Sequence, residues 1–231
     1  MIPIRDDQPR YSTPYVNYFL IALNVLIFFY ELSVRAQNPH ALNVLIYEFG
    51  IVPRHFTYGL TGPHLLLGAF LTILTSMFLH GGWLHIIGNM WVLWIFGDNI
   101  EDQIGHFSYL VFYLLCGSAA GITHILLNAG SSVPTVGASG AIAGIMGAYF
   151  LLYPRAKVLT FIFFTIWWLP AWIMLGYWFL LQFFSGAATQ VAVTARNSGG
   201  VAFWAHVGGF VAGIILIKVF PERSGRYRYG S

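Results

Sequence analysis

GASGAIAGIMGAYFLLY, Gly137–Tyr153, is an apolar run opened by one hydroxyl, that of Ser139. Ser139, Ala143 and Gly147 repeat every four residues, with Gly140 and Gly144 beside them. Such spacing lines one face of a helix with small side chains, against which a second helix can pack closely. A matching face lies near the end of the chain, where Ala202, His206, Gly209 and Gly213 fall at i, i+4, i+7 and i+11. One face carries a serine at its outer end and the other a histidine, so packing them together places an alcohol beside an imidazole.

The rest of the sequence says which solvent surrounds these helices. Of 231 residues, 58% are hydrophobic and only 8% are charged. Soluble domains carry about 25% charged residues, so most of this surface faces lipid. The 8 Trp, 13 Tyr and 20 Phe residues suit a protein with long lipid and interface contacts. The formal charge of +3 comes from basic residues scattered over loops, which argues against a nucleic-acid partner. With a single cysteine, Cys116, no intramolecular disulfide forms, and its apolar setting reads as core.

A helix needs roughly 20 apolar residues to cross the hydrocarbon. Six segments come near that length: Tyr15–Leu32, Gly82–Ile100, Phe107–Leu127, Ser139–Tyr153, Val158–Phe184 and Gly200–Phe220. The fourth is short, and the fifth is long and contains Pro170. Leu65–Leu79 is too short to cross and is expected to be re-entrant or interfacial. These spans predict an all-α polytopic bundle of six transmembrane helices with a long, partly inserted loop between the first two. It forms one domain, with a core over 15–220, an N-terminal tail over 1–14 and a C-terminal tail over 221–231. Arg5, Arg10, Arg155, Lys157, Lys218, Arg223, Arg226 and Arg228 fall on one side, and Arg35, Arg54 and Arg196 on the other. The positive-inside rule then puts both termini in the cytoplasm. Short loops and the absence of a targeting peptide point to a prokaryotic plasma membrane, with the site opening outward.

Three polar islands interrupt the apolar text: His80 to Asn89, Gly137 to Gly140, and His206 with Gly209. Polar groups inside spans are costly and are functional candidates by default. Counted along their helices, Asn89 lies roughly 10 Å and His206 roughly 9 Å below the outer boundary, the level at which Ser139 begins its own span. A serine hydroxyl becomes a useful nucleophile beside a base such as imidazole. The tetrahedral intermediate needs donors, which the Ser139 amide, His85 and Asn89 can supply. The eight carboxylates offer no third member. Only Glu31 and Glu48 lie on the outer side, and neither falls in a pattern aimed at His206. His40, His55, His64, His106 and His124 read as loop or interface residues.

With HGGWLHIIGNMWVLWIFGDNIED (His80–Asp102), GASGAIAGIMGAY (Gly137–Tyr149) and WAHVGGFVAG (Trp204–Gly213), the chain resembles the rhomboid intramembrane serine proteases from about Pro14 to Phe220. The resemblance implies a Ser139–His206 dyad, oxyanion assistance from His85 and Asn89, and support of the first long loop by His80. It implies structural roles near the site for Gly137 and Gly140, and packing of the last helix through Gly209 and Gly213. The segment Pro170–Phe184 becomes a lateral gate, and the substrates become transmembrane proteins cleaved without metal or nucleotide. One position departs: some members carry an aromatic four residues after the nucleophile, where this chain has Ala143, so Trp204 or a water is expected to hold the imidazole. A catalytically inactive, client-binding relative would share the fold. A transporter would usually bury carboxylates, which this chain keeps at its rim, and no HExxH motif supports zinc hydrolysis.

Overall fold

The first helix, α1 (Tyr15–Gln37), starts without a cap of its own: Pro14 precedes it and has no side-chain oxygen to offer. Its first amides are satisfied from elsewhere. In this computed structural model, which describes residues 1–57, 63–191 and 202–223, the buried Glu101 carboxylate accepts from the amides of Val16 and Asn17 at 2.9 and 2.7 Å. Glu101 lies near the end of α5 (Trp83–Ile104), so an anion sits at the positive end of α1. Asn17 reaches on to the Leu93 carbonyl and accepts from the Tyr109 hydroxyl. That network ties α1 and α5 to α6 (His106–Leu127). Only Gly105 separates α5 from α6, and its φ of 84° makes the reversal.

Between α1 and α5 run α2 (Pro39–Phe49), α3 (Pro53–Thr57), α4 (Pro63–Thr75) and a 3-10 turn (Ser76–Phe78). The segment Gly68–Phe78 meets α5 at 81°, so the stretch expected to be re-entrant or interfacial lies across α5 rather than continuing it. Helix α7 (Ser139–Leu152) is central and almost wholly buried. It is followed by β2 (Lys157–Ile162), β3 (Thr165–Pro170), α8 (Ala171–Val191) and α9 (Phe203–Leu216).

The α7–α9 seam is the tightest packing in the molecule. A Cβ on Gly213 would land on the carbonyl oxygen of Gly144, and one on Gly209 on that of Gly140. Backbone therefore touches backbone, as the small-residue faces require. The other flank of Gly144 meets the fully buried Cys116 of α6.

Each of the six expected segments contains a helix, and the chain is a largely helical, multi-pass membrane protein. Tyr15–Gln37, His106–Leu127 and Ala171–Thr189 are each long and apolar enough to cross alone; α4 with α5 forms a bent fourth candidate, while α7 and α9 are shorter. The fifth segment needs correction. Val158–Phe184 is not one helix: its first part is the β2–β3 hairpin, and α8 begins only after Pro170. VLTFIFFTIWW is rich in β-branched and aromatic residues, and a continuous apolar run does not tell a strand from a helix. Residues Ile2–Asp6, placed by the sequence in the N-terminal tail, form β1 and pair antiparallel with β2, completing a three-stranded sheet that an all-α reading leaves out. The end of the C-terminal tail and the expected start of the last span at Gly200 lie outside the described residues.

Candidate active site

Ser139 is the first residue of α7, and the loop before it is pinned at three points. Ile51 and Thr135 exchange backbone bonds at 2.8 and 3.0 Å, and the Gly137 amide donates to the Ser76 carbonyl at 2.8 Å. The Thr135 hydroxyl bonds His124 Nε2 at 2.8 Å. His124, read from sequence as a loop or interface residue, is buried on α6 and lines the same cavity as Ser139. Gly137 has φ of 130°, and a Cβ there would meet the His85 ring at 2.7 Å. Glycine is thus required twice over, for the backbone conformation and for the space.

The cap position before Ser139 is Ala138, which has no side-chain oxygen, and the hydrogen bond of Ser139 Oγ goes to another helix. Oγ lies 2.8 Å from His206 Nε2, on the facing side of the α7–α9 seam. His206 is only three residues into α9, which starts at Phe203. That is fewer than the six counted from Gly200, so the direct bond, rather than matching depth counts, brings the two groups together. The second ring nitrogen, Nδ1, bonds Gln182 Oε1 of α8 at 2.8 Å. An amide oxygen only accepts, so Nδ1 carries the proton and Nε2 is free to accept from the serine. Trp178, one turn before Gln182, lies against the imidazole with centroids 5.7 Å apart. Trp204, the sequence-based candidate for holding the ring, instead packs on Phe183.

A cavity of about 740 Å³ opens above the pair and reaches His85, Asn89, Gly137 and Gly140. His85 Nδ1 accepts from the Gly81 amide at 3.4 Å, which leaves the proton on Nε2, the atom beside Gly137. Asn89 is buried, and its amide nitrogen has no partner among the described residues. Two donors on one face of α5 thus line the space beside Ser139. His80 is buried edge-to-face against His85 at 5.1 Å, and its backbone amide donates to the Glu31 carboxylate at 3.0 Å. Both contacts run through its backbone and ring edge. Gly209 and Gly213 stand in the α7–α9 seam.

Gln182 is the residue that sequence reasoning missed. It is an isolated amide in the apolar run AWIMLGYWFLLQFF, and the rule that singled out Asn89 as a polar group inside a span applies equally to it. Among the described residues, no group of three or more His, Cys, Asp or Glu side chains is placed to hold a metal ion.

An alcohol, an imidazole and unused amide donors in one cavity of a multi-pass helical bundle define a class, that of membrane proteins with a serine–histidine pair set within the bundle. Residues 67–223 match the Rhomboid domain family, and the chain belongs to it. It is 30% identical over 149 residues to Rhomboid protein 1, mitochondrial, of Saccharomyces cerevisiae, covering 63% of this chain and 40% of that protein. It is 31% identical over 159 residues to RHOMBOID-like protein 6, mitochondrial, of Arabidopsis thaliana, covering 66% and 45%. With Rhomboid protease GluP of Bacillus subtilis it shares 32% over 142 residues, 61% of this chain and 24% of that protein. The chain thus spans about half or less of the length of these relatives. Because the relatives include proteins of mitochondria, the expected prokaryotic plasma membrane is not supported; membership of a membrane family is.

Proposed function

We propose that this chain is an intramembrane serine endopeptidase acting on transmembrane proteins through Ser139 and His206. The observation that carries the reading is the 2.8 Å contact between Ser139 Oγ and His206 Nε2, with Nδ1 already engaged as a donor. The fold over 15–220 is a single domain of six crossings. Both termini lie on the cytoplasmic side, and the cavity opens to the other side. Arg155 and Lys157 follow the far end of α7 from Ser139, and Arg10 and Arg223 contact Asp98 and Gln103 in the last two turns of α5, in keeping with that orientation.

In the reaction, His206 Nε2 takes the hydroxyl proton as Ser139 Oγ attacks the peptide carbonyl carbon. Negative charge develops on the carbonyl oxygen, toward which the Ser139 amide, His85 Nε2–H and Asn89 Nδ2–H can donate. The imidazolium then gives its proton to the leaving amine, and the acyl group stays on Oγ. Water, deprotonated by the same nitrogen, releases the acid and restores the serine. No cofactor or metal takes part. Substrates enter past the segment Pro170–Phe184 as transmembrane segments with small, helix-weakening residues near the outer boundary.

The test is cleavage of a single-pass reporter carrying such residues, with the chain reconstituted in lipid. Ser139→Ala and His206→Ala abolish cleavage, whereas Ser131→Ala leaves it intact. A fluorophosphonate probe labels Ser139. Cleavage that persists in Ser139→Ala would sink the mechanism, and silence of the wild type toward both reporter and probe would sink the activity.

A further inference from the structure

His206 bonds Ser139 at one ring nitrogen and Gln182 at the other, and both contacts are 2.8 Å. Among the described residues no carboxylate bonds this ring. The titratable side chains near enough to act on it are His85 of α5 and His124 of α6; α7 presents Ser139, and α8 presents Gln182 and Trp178. No anion is therefore placed to select a tautomer or to hold the ring plane. Left to itself a neutral imidazole populates both tautomers, and only the one with Nδ1 protonated leaves Nε2 able to take the serine proton. On α7, the position one turn beyond the nucleophile is Ala143, too small to hold the ring from that side.

We propose that Gln182 is the positioning residue of the catalytic pair, its amide oxygen holding His206 in the Nδ1–H tautomer while Trp178 limits ring tilt. This rests on the protease reading and adds to it a third group from a different helix. The amide keeps accepting from Nδ1–H when Nε2 is protonated, so the ring need not turn between taking the proton and releasing it. Oε1 carries no net charge, so Gln182 orients the base without the electrostatic help a carboxylate would add. That difference makes the role measurable.

Gln182→Leu keeps the volume and removes the acceptor. Its kcat on the reporter falls about 10- to 100-fold, part of the 10²–10⁴ that a general base contributes. KM and the melting temperature stay near wild type. Gln182→Glu restores an acceptor oxygen and adds charge that favours the imidazolium, so activity returns to within about tenfold of wild type. The acidic limb of its pH profile moves up by about one unit or more. A merely structural glutamine would change stability and leave the profile where it was. The histidine ring nitrogens of ¹⁵N-labelled protein, with His206 assigned by difference against His206→Ala, report the tautomer directly: Nδ1–H in the wild type, mixed in Gln182→Leu. Gln182→Leu within twofold of wild-type kcat, a Gln182→Glu profile superimposable on the wild type, or an unchanged tautomer would each overturn the proposal. If the wild type cleaves nothing, the protease reading fails, while the tautomer comparison still decides whether Gln182 sets the ring.

Discussion

Helices α7 and α8 both approach α9, but by different means. The α7–α9 seam is backbone on backbone: a Cβ on Gly209, Gly213 or Gly147 would strike the carbonyl of Gly140, Gly144 or Phe210. The α8–α9 contact is ring on ring: Phe179 and Trp178 lie 4.8 and 6.2 Å from Phe210, and Phe183 stands edge-on to Trp204. Much of the remaining α8 surface is exposed to what would be lipid, including Trp172, Leu180 and Phe184. Backbones in contact have nowhere to go, whereas rings slide and re-seat at modest cost. The spacing of Ser139 and His206 is therefore set by the rigid contact, and the orientation of the imidazole by the adaptable one.

The largest effect that could break this contrast comes from methyl groups. Gly213→Ala forces α9 away from the Gly144 carbonyl and is expected to cost about 3 kcal/mol or more, read as a lower unfolding midpoint together with loss of probe labelling. Gly176→Ala, on α8, meets nothing closer than a Phe150 ring carbon at 3.7 Å. It is expected to be neutral or to stabilise by up to about 1 kcal/mol, since alanine favours helix over glycine. Equal damage from both substitutions would erase the distinction between the two contacts.

Next in size is the donor side. Asn89→Ala removes an amide with no other described partner and is expected to lower kcat about 10²- to 10³-fold at unchanged stability. A loss of stability with kcat retained would make Asn89 an interhelical tether instead. On the adaptable side, Trp178→Leu is expected to reduce kcat less than tenfold while the unfolding midpoint shifts little; a collapse of the fold would show the ring contact to be as rigid as the seam.

The smallest effect concerns the sheet end. Burial pushes the Asp6 carboxyl up from its ordinary 3.8 to about 6, opposed by the bond it accepts from the Tyr149 hydroxyl. A carboxyl whose pKa is raised by folding binds its proton more tightly in the native state. Its contribution is then most favourable below about pH 4 and is lost as pH rises to about 6. Asp6→Asn should remove that part of the pH dependence, so wild-type and variant melting temperatures diverge across the window. Parallel curves would place the charge in water.

Much of this was legible in the text of the sequence. Apolar length found a helix in every expected segment, and small-residue periodicity found the seam, because both signals are local. The sheet was hidden because β2 and β3 carry apolar side chains at exposed as well as buried positions, so no polar alternation betrays them. The Glu31–His80 contact joins residues 49 apart, and nothing in either neighbourhood announces it. Gln182 was legible in principle. It was passed over because one amide in a long apolar helix gains its meaning only from what it faces.

The burial of Cys116 has a practical side. It is the only thiol in the chain, and thiol reagents need an accessible, ionisable sulfur. New cysteines at exposed positions such as Leu115 on α6 and Leu180 on α8 can therefore carry spin labels or fluorophores without any change to the native background. A distance between those two sites, compared with and without a bound reporter, would show whether α8 shifts against α6.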